Sequence, residues 1–282
     1  MSPLAPLEVL FEGARGSDLP LPPELATLYG PLRMPSHPGR PAIIGNFVTT
    51  LDGVVSLNVP GKSGGGPISG ENPHDRMTMG LLRAVADAVV VGAGTLRAVP
   101  RHRWTAAHAS PAFADAYQSL RTNLGKADPP LNVIVTARGD IDLDLPVFQS
   151  GEVPVLVVTT TEGAQRIGDR GLPRSTRIAA VPGSGRLGTE AILRAVRHAH
   201  PSAVILIEGG PQLMGDFFAQ GCLDDLYLTL APQVAGRDGS VERPGLVAGQ
   251  RFAPEQPLWG TLVSVRRAGS HLFLRYAFAP AA

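Results

Sequence analysis

The chain has 282 residues, of which 44% are hydrophobic, and its formal net charge is +1. This length and apolar fraction suffice to bury a sizeable core, so we expect one large globular unit. The nearly balanced charge disfavours nucleic acid or an anionic membrane as the main partner, because both attract clustered positive charge. The single cysteine, Cys222, excludes an intrachain disulfide and a multi-cysteine zinc site, and it fits a reducing compartment.

The start of the chain has neither the basic region nor the long apolar region of a secretory signal. No run elsewhere approaches the roughly 20 apolar residues that span a bilayer. We therefore expect a cytoplasmic protein. Residues 1–40 are rich in proline and leucine, and they are predicted to form an arm packed on the body, with one short helix over Pro23–Tyr29. Residues 41–282 form the second predicted unit.

From Ala42 onward, predicted strands and helices alternate. The predicted strands cover residues 42–50, 88–92, 131–137, 153–160, 176–181 and 203–208. The predicted helices lie around Met77–Val85, within 94–128, and over 162–169, 189–199 and 211–220. This alternation predicts an α/β fold with a mostly parallel sheet covered on both faces. Towards the end of the chain, two apolar runs flank Ala268-Gly269-Ser270, which predicts a hairpin and antiparallel strands.

The stretch VILIEGGPQLMGDF, residues 204–217, predicts a strand-to-helix joint. Four apolar residues form a buried strand that ends in Glu208, and Pro211 fits the first turn of a helix. Gly209 and Gly210 between them would let another group approach the backbone. The free N–H groups and the positive dipole end of the helix suit a phosphate. The alternative is a tight turn with a solvated glutamate.

The carboxyl ends of the predicted strands carry polar residues, and ligands bind at those ends in open α/β sheets. The joints supply hydroxyls, glycines, an arginine and carboxylates. They form a plausible lining for a phosphate-bearing cofactor and a polar substrate. Asp52 and Glu208 are the strand-end carboxylates that could orient a substrate or relay a proton, and Arg83 or Arg103 could hold its phosphate.

Three other functions would be a Rossmann dinucleotide site, a metal site and a hydrolase. The sequence supports each of them only weakly. GSGRLG, residues 183–188, matches the G-x-G-x-x-G of a Rossmann dinucleotide site, but the chain then ends in a hairpin rather than in further parallel strands. We expect a surface loop there. His198 and His200 lie two apart on a predicted helix and no H-E-x-x-H occurs, so we expect no metal site. The absence of G-x-S-x-G weakens a hydrolase interpretation.

The motifs TTLDGVVS, ISGENPHDRMTMGLLRAVADAVVVGAGTLRA, NVIVTARGDI and VILIEGGPQLMGDFFAQGCLDDLYLTLAPQVAG occur in this order. Together they resemble the reductase domain family of riboflavin biosynthesis over roughly residues 41–278. The resemblance is to stand-alone members, because the zinc motifs of the paired deaminase half are absent. It implies a three-layer α/β/α dihydrofolate-reductase-like fold, NADPH as the cofactor, a small pyrimidine phosphate as the substrate and a homodimer.

The resemblance also implies roles for individual residues. Glu208 and Arg83 match substrate-contacting positions. Arg138 follows the third parallel strand, where an arginine suits the 2′-phosphate of NADPH. The full set of implied cofactor contacts is Thr49, Gly92, Gly94, Thr95, Thr136, Arg138, Gly209, Gly210, Pro211, Gln212, Leu213 and Met214.

The leading hypothesis is an NADPH-dependent reductase that converts 2,5-diamino-6-ribosylamino-pyrimidinone 5′-phosphate, or its deaminated form, to the ribitylamino compound. One alternative is a reductase of the same fold that acts on dihydrofolate or another pterin-like substrate. The sequence LRAVPRHRWT, residues 96–105, favours it, since bifunctional family members carry an acidic D-D-P and an arginine there. Pro67-Ile68 is a second departure, at a place where many members have a tryptophan. A further alternative is a catalytically silent NADPH-binding regulatory protein.

Overall fold

The computed structural model describes residues 4–278. Its strands, in chain order, are β1 (Glu8–Glu12), β2 (Ser17–Asp18), β3 (Arg33–Met34), β4 (Ala42–Thr49), β5 (Ala88–Gly92), β6 (Leu131–Val135), β7 (Val155–Thr160), β8 (Thr176–Val181), β9 (Val204–Ile207), β10 (Asp225–Leu230), β11 (Thr261–Ala268) and β12 (His271–Ala277). Its helices are α1 (Pro23–Tyr29), α2 (Gly65–Ser69), α3 (Pro73–Val85), α4 (Ala93–Ala98), α5 (Ala106–Ala109), α6 (Ala114–Asn123), α7 (Pro146–Gln149), α8 (Thr161–Gly168), α9 (Thr189–Ala199) and α10 (Pro211–Ala219), with a short 3₁₀ turn over Pro111–Phe113.

One ten-stranded sheet organises the chain, in the order β1-β11-β12-β10-β4-β9-β5-β6-β7-β8. The strands from β10 to β8 run parallel, whereas β12, β11 and β1 continue the sheet antiparallel. The carboxyl ends of β4, β9, β5 and β6 therefore meet at one edge. This mixed sheet confirms the predicted fold class, including the antiparallel strands near the C-terminus.

Two apolar layers cover the sheet, one on each face. Along β5, Val89 and Val91 pack in one core with residues of α3 and α6, while Ala88 and Val90 pack in the other with residues of α9 and α10. This alternation is the two-residue period of a strand buried on both faces. The three layers are thus helices, sheet and helices.

The amphipathic pattern of α3 fixes how this helix faces the site. Met77, Leu81, Leu82 and Val85 are at most 1% exposed, as their helical spacing predicts. Asn72 caps the helix by accepting hydrogen bonds from the backbone N–H groups of the next two non-proline residues, and Pro73 occupies the first turn. The remaining face of α3 points towards the carboxyl edge of the sheet.

The N-terminal segment joins the same sheet. β1 pairs antiparallel with β11, and Glu8 forms an ion pair with Arg267. Helix α1 lies where it was predicted. The buried Arg266 donates to the Tyr29 carbonyl oxygen at 2.8 Å and pairs with Glu12. The described part of residues 1–40 therefore adds an edge strand to the sheet, and the division into an arm and a reductase domain stays a prediction.

The loop of residues 183–188 follows β8, the strand at the edge of the sheet. A Rossmann dinucleotide loop follows a strand beside the topological switch point, so this placement disfavours the Rossmann interpretation. Within residues 4–278, no helix has both the length and the apolar character required to cross a bilayer. The same residues contain no cluster of three or more histidine, cysteine, aspartate or glutamate side chains able to hold a metal.

Candidate active site

A large cavity of about 1280 Å³ opens at the carboxyl edge of the sheet. Its wall includes Asn46 of β4, Gly92 at the end of β5, Thr136 after β6 and Glu208 after β9. These four strands are neighbours in the parallel part of the sheet, so their ends converge on one crevice. The cavity thus lies at the carboxyl ends of the parallel strands, where the sequence predicts a ligand site.

The start of α10 forms one part of the wall. A Cβ atom on Gly209 would collide with the end of the Leu213 side chain and lie 3.1 Å from the Gly92 amide nitrogen, so a larger residue there would require both neighbours to shift. A Cβ atom on Gly210 would lie 3.6 Å from Thr95 Oγ1, across open space. Gly94 likewise has no atom within 4 Å of a Cβ position. The backbone N–H groups of this helix start are thus open to a ligand, as a phosphate site requires.

Five arginines line the cavity, and most of them already have partners. Arg76 pairs with Glu71, Arg83 with Glu208 and Arg186 with Asp216, while Arg97 donates to a backbone carbonyl oxygen. Arg138 is exposed and forms no hydrogen bond or ion pair with any residue between 4 and 278. Arg138 is therefore the lining arginine that is free to bind an anion.

Arg83 and Glu208 form a buried two-point ion pair. Arg83 Nη2 lies 2.6 Å from Glu208 Oε2 and Arg83 Nε lies 3.0 Å from the same oxygen, and the two side chains are 2% and 6% exposed. Asn46 Nδ2 donates to Glu208 Oε1 at 3.2 Å. The paired geometry compensates the cost of burying both charges. Glu208 is thus an acceptor whose oxygens are largely occupied by protein donors.

His102 extends this pair into the segment 96–105. Arg83 Nη1 lies 2.9 Å from His102 Nε2, and the imidazole packs against Trp104 and His108 at centroid distances of 5.3 and 4.5 Å. Burial, followed by the positive charge of Arg83, lowers the pKa of His102 to about 2. His102 is therefore neutral, and it accepts the arginine proton at Nε2 with its own proton on Nδ1.

Asp75 is a second acid in the wall. Asp75, Met79 and Arg83 follow one another at four-residue spacing on α3, so they share the face that lines the cavity. The nearby hydroxyls of Thr229 and Ser69 favour the ionised form of Asp75, but burial outweighs them and raises the pKa of its carboxyl.

Two predicted residues at the end of β4 lie outside the cavity wall. Asp52 accepts hydrogen bonds from the Thr50 hydroxyl at 2.6 Å and from the backbone N–H groups of Ala235 and Gly236 at 3.0 and 2.7 Å. These bonds, led by that of Thr50, hold the pKa of Asp52 well below its usual range. The ionised Asp52 therefore links the loop after β4 to the loop that contains Ala235 and Gly236. Thr49 is buried, with its hydroxyl 3.2 Å from the Thr50 carbonyl oxygen.

Two further predicted residues are also placed elsewhere. Arg103 Nη1 lies 2.9 Å from Glu152 Oε1, away from the cavity. Met214 is fully buried, and its Cε atom fills the space where a Cβ atom on Gly45 would come within 2.8 Å. The remaining predicted site residues line the cavity together: Arg83, Gly92, Gly94, Thr95, Thr136, Arg138, Glu208, Gly209, Gly210, Pro211, Gln212 and Leu213.

The structure adds residues that the sequence reasoning did not select: Asn46, Asp75, His102 and Trp104. Asn46 stands as a polar residue inside an otherwise apolar strand, which is a signal that was available in the sequence. Asp75 occupies the third position of a helix, where an acid ordinarily serves the helix start. His102 and Trp104 lie in the segment that departs from the family pattern.

The family model described as the RibD C-terminal domain matches residues 41–272. The chain belongs to this family, which confirms the resemblance seen in the motifs. No curated protein matches the chain in sequence.

Solved structures show the same fold. A pyrimidine reductase-like protein from Corynebacterium diphtheriae aligns with a TM-score of 0.65 and 22% identity, over 93% of this chain and 96% of that one. A deaminase and 5-amino-6-(5-phosphoribosylamino)uracil reductase from Thermotoga maritima aligns with a TM-score of 0.61 and 19% identity, over 85% of this chain and 57% of that longer one. A riboflavin biosynthesis reductase of Saccharomyces cerevisiae gives a TM-score of 0.53 and 15% identity, over 85% and 90% of the two chains.

Proposed function

We propose that the chain is an NADPH-dependent reductase that acts on the ribosylaminopyrimidine phosphate of riboflavin biosynthesis, in its 2-amino or its deaminated form. The observation that carries the proposal is one cavity in which the open, glycine-lined start of α10 adjoins the buried polar group of Arg83, Glu208 and Asn46. Membership of the RibD C-terminal domain family supports it. The activities named for the similar structures point the same way.

The residues present fit a phosphate-bearing dinucleotide. The backbone at Gly209 and Gly210 would hold the diphosphate, because side chains there would fill its space or block its approach. Thr95 and Thr136 would supply hydroxyls, and Arg138 would bind the 2′-phosphate that distinguishes NADPH from NADH. When bound, the nicotinamide supplies a hydride. The protein positions the donor and the acceptor, an effect that can lower a barrier by about 7 to 11 kcal/mol.

The substrate would occupy the part of the cavity beside α3. Arg83 is too deeply buried and too fully paired to hold a phosphate, and Arg103 faces Glu152. Arg76 lines the cavity on the same helix and is 48% exposed, so we assign the substrate phosphate to it, with Glu71 as the partner that it would leave. The phosphate then lies near the rim and the pyrimidine ring lies deeper.

The altered segment 96–105 favours a second candidate. It places the aromatic side chains of His102 and Trp104 in the cavity wall, whereas its Arg103 points away. A flat ring without a phosphate, such as a pterin, would suit that wall. A reductase of the same fold with a pterin-like substrate is therefore the second function that the site supports.

Spectrophotometric NADPH oxidation tests the proposal against its alternatives. The purified chain is given the ribosylaminopyrimidine phosphate, its deaminated form and dihydrofolate in parallel. Turnover of either pyrimidine phosphate supports the proposed function, and turnover of dihydrofolate alone supports the second candidate. Tight NADPH binding without turnover of any substrate identifies a silent nucleotide-binding protein and overturns the proposal.

A further inference from the structure

Two acids in the cavity wall, Asp75 and Asp140, lack a cationic partner among residues 4–278, and Asp75 is the less exposed of the two. Within that range Asp75 forms no ion pair, whereas nearby Glu208 is held at two points by Arg83. The hydroxyls of Ser69 and Thr229 lie near the Asp75 carboxyl group, and the titratable groups that act on it are His271 and Glu208. Because no cation occupies its oxygens, this half-buried carboxyl group can still accept hydrogen bonds from a ligand in the cavity.

Three elements surround the side chain of Asp75. Its own helix α3 presents it to the cavity, Ser69 closes α2 and Thr229 belongs to β10; both hydroxyl residues are nearly inaccessible, at 2% and 3% exposure. The Ser69 hydroxyl also lies 3.2 Å from the Gly66 carbonyl oxygen, so its one proton has two acceptors. An ionised carboxylate offers about four acceptor positions, and two hydroxyls leave at least two of them unused.

The start of α3 does not require this carboxyl group. Asn72 already caps the helix by accepting from the N–H groups of His74 and Asp75 at 2.8 and 3.2 Å. The Asp75 side chain instead lies in the cavity wall near Ser69 and Thr229. Burying an acid that neither pairs with a cation nor caps the helix costs stability, and such costs concentrate at functional sites.

Carboxylate chemistry defines the ligand edge that Asp75 can recognise. A 2-aminopyrimidin-4-one presents a ring N–H and an exocyclic amine as two parallel donors, which match the two oxygens of a carboxylate. The deaminated 2-oxo ring presents a carbonyl oxygen in place of the amine, and that oxygen would face a carboxylate oxygen. Phe47 and Met79 line the same cavity and supply apolar surface for the faces of a ring.

We propose that Asp75 selects the 2-amino form of the pyrimidine over the deaminated form, by a two-point hydrogen bond to the amine and ring N–H. The proposal rests on the proposed function in that it takes the cavity to bind a pyrimidine ring. It defines the substrate class as a 2-amino-4-oxo pyrimidine, and it makes Asp75 a specificity-determining residue.

Calorimetry with two ring probes tests this selection in the absence of cofactor. The probes are 2-aminopyrimidin-4-one and uracil: the first has an amine beside a ring N–H, whereas the second has an oxygen at carbon 2 and no amine, so it offers no edge with two adjacent donors. We expect the parent protein to bind the 2-amino probe at least about 10-fold more tightly, the scale of one charge-assisted hydrogen bond. Asp75→Asn should abolish or invert the preference, because an amide offers one acceptor and one donor and so complements the 2-oxo edge.

The control variant is Asp140→Asn, since Asp140 is an exposed acid that lines the cavity beside Arg138. It should keep the preference of the parent. Asp75→Ser serves as the second variant if Asp75→Asn does not fold, and it should lose the preference without inverting it. Equal binding of the two probes by the parent, an unchanged preference in folded Asp75 variants, or no binding of either probe at millimolar concentration would overturn the inference. The NADPH oxidation assay judges the proposed function separately, because ring binding is measured without the cofactor.

Discussion

Arg83 joins Glu208 to His102 through a single guanidinium group. Its Nε and Nη2 atoms bind the carboxylate, while its Nη1 atom lies 2.9 Å from the imidazole. One side chain on α3 thereby connects the end of β9 to the segment 96–105, and both partners line the cavity. Arg83 acts as a positioning residue, because its donors are directed at protein groups and not into the cavity.

Glu208→Gln is expected to destabilise the protein by about 3 kcal/mol, because removing one charge of a buried pair leaves the other uncompensated. Catalytic efficiency for the pyrimidine should also fall by roughly 10-fold or more, because the weakened pair no longer holds this side of the cavity in place, while NADPH affinity should change little, since the proposed diphosphate contacts are backbone groups. Urea denaturation measures the free energy of unfolding. The matched control is Glu152→Gln: Glu152 is exposed and pairs with the partly buried Arg103, so this change should be worth at most about 1 kcal/mol. An unchanged unfolding free energy in Glu208→Gln would contradict the role of the pair.

The fold was largely predictable because its signals are local. Apolar runs such as Val204–Ile207, followed by Gly210 and Pro211, fix a buried strand and the start of a helix without reference to the rest of the chain. The hairpin at Ala268-Gly269-Ser270 is equally local. The insertion of β9 between β4 and β5 is not, because strand order depends on contacts between distant segments.

The site was predictable only where the backbone determines it. Gly92, Thr136 and Gly209 lie at ends of parallel strands, and those ends share one edge of the sheet. Asp52 also follows a strand, but its carboxylate is taken by backbone N–H groups of a loop more than 180 positions further along the chain. Asp75 lies on a helix whose exposed face becomes a cavity wall only after folding. Neither partner set is visible in the sequence.

Gly210→Val should abolish NADPH binding and leave the fold intact. Gly210 has a φ of −59°, which a valine can adopt, and a Cβ atom there would lie no closer than 3.6 Å to its neighbours. The added branches would instead fill the space in front of the α10 start. Fluorescence titration with NADPH measures the loss. Gly188→Val is the control, since Gly188 also precedes a helix with negative φ but lies outside the cavity wall. Equal NADPH affinity in both folded variants would remove the α10 start from the site.

Arg138→Ala is expected to weaken NADPH binding by roughly 10- to 100-fold and to leave NADH binding nearly unchanged. The basis is the loss of the proposed charge-assisted contact to the 2′-phosphate, which would be worth about 1.5 to 3 kcal/mol. Calorimetric titration with the two cofactors gives the comparison. Arg174→Ala removes an exposed arginine that does not line the cavity and should affect neither cofactor. Equal weakening of NADPH and NADH by Arg138→Ala would show that Arg138 does not read the phosphate.

Asp75→Asn should stabilise the protein at neutral pH, because it replaces a carboxyl group whose charged form is disfavoured by burial. Burial raises the folded-state pKa of Asp75 above its ordinary value of 3.8, so the folded protein keeps a proton that the unfolded chain has already lost. The free energy of unfolding of the parent therefore falls as the pH rises from the pKa of Asp75 in the unfolded chain to its higher pKa in the folded protein. It stays lower at all higher pH values. The advantage of the variant should vanish towards pH values below 3.8.

Urea denaturation of the parent and of Asp75→Asn at a series of pH values measures this difference. His271 lowers and Glu208 raises the pKa of Asp75, so the interactions of both groups with its charge are lost in the variant and contribute to the measured difference. Asp115→Asn is the matched control, because Asp115 is an exposed acid in the first turn of α6. That change removes a favourable helix-dipole contact and should cost a few tenths of a kcal/mol. If Asp75→Asn, like Asp115→Asn, were less stable than the parent at neutral pH, the Asp75 carboxylate would stabilise the start of α3. The idea that burying this carboxyl group in the cavity wall lowers stability would then be wrong.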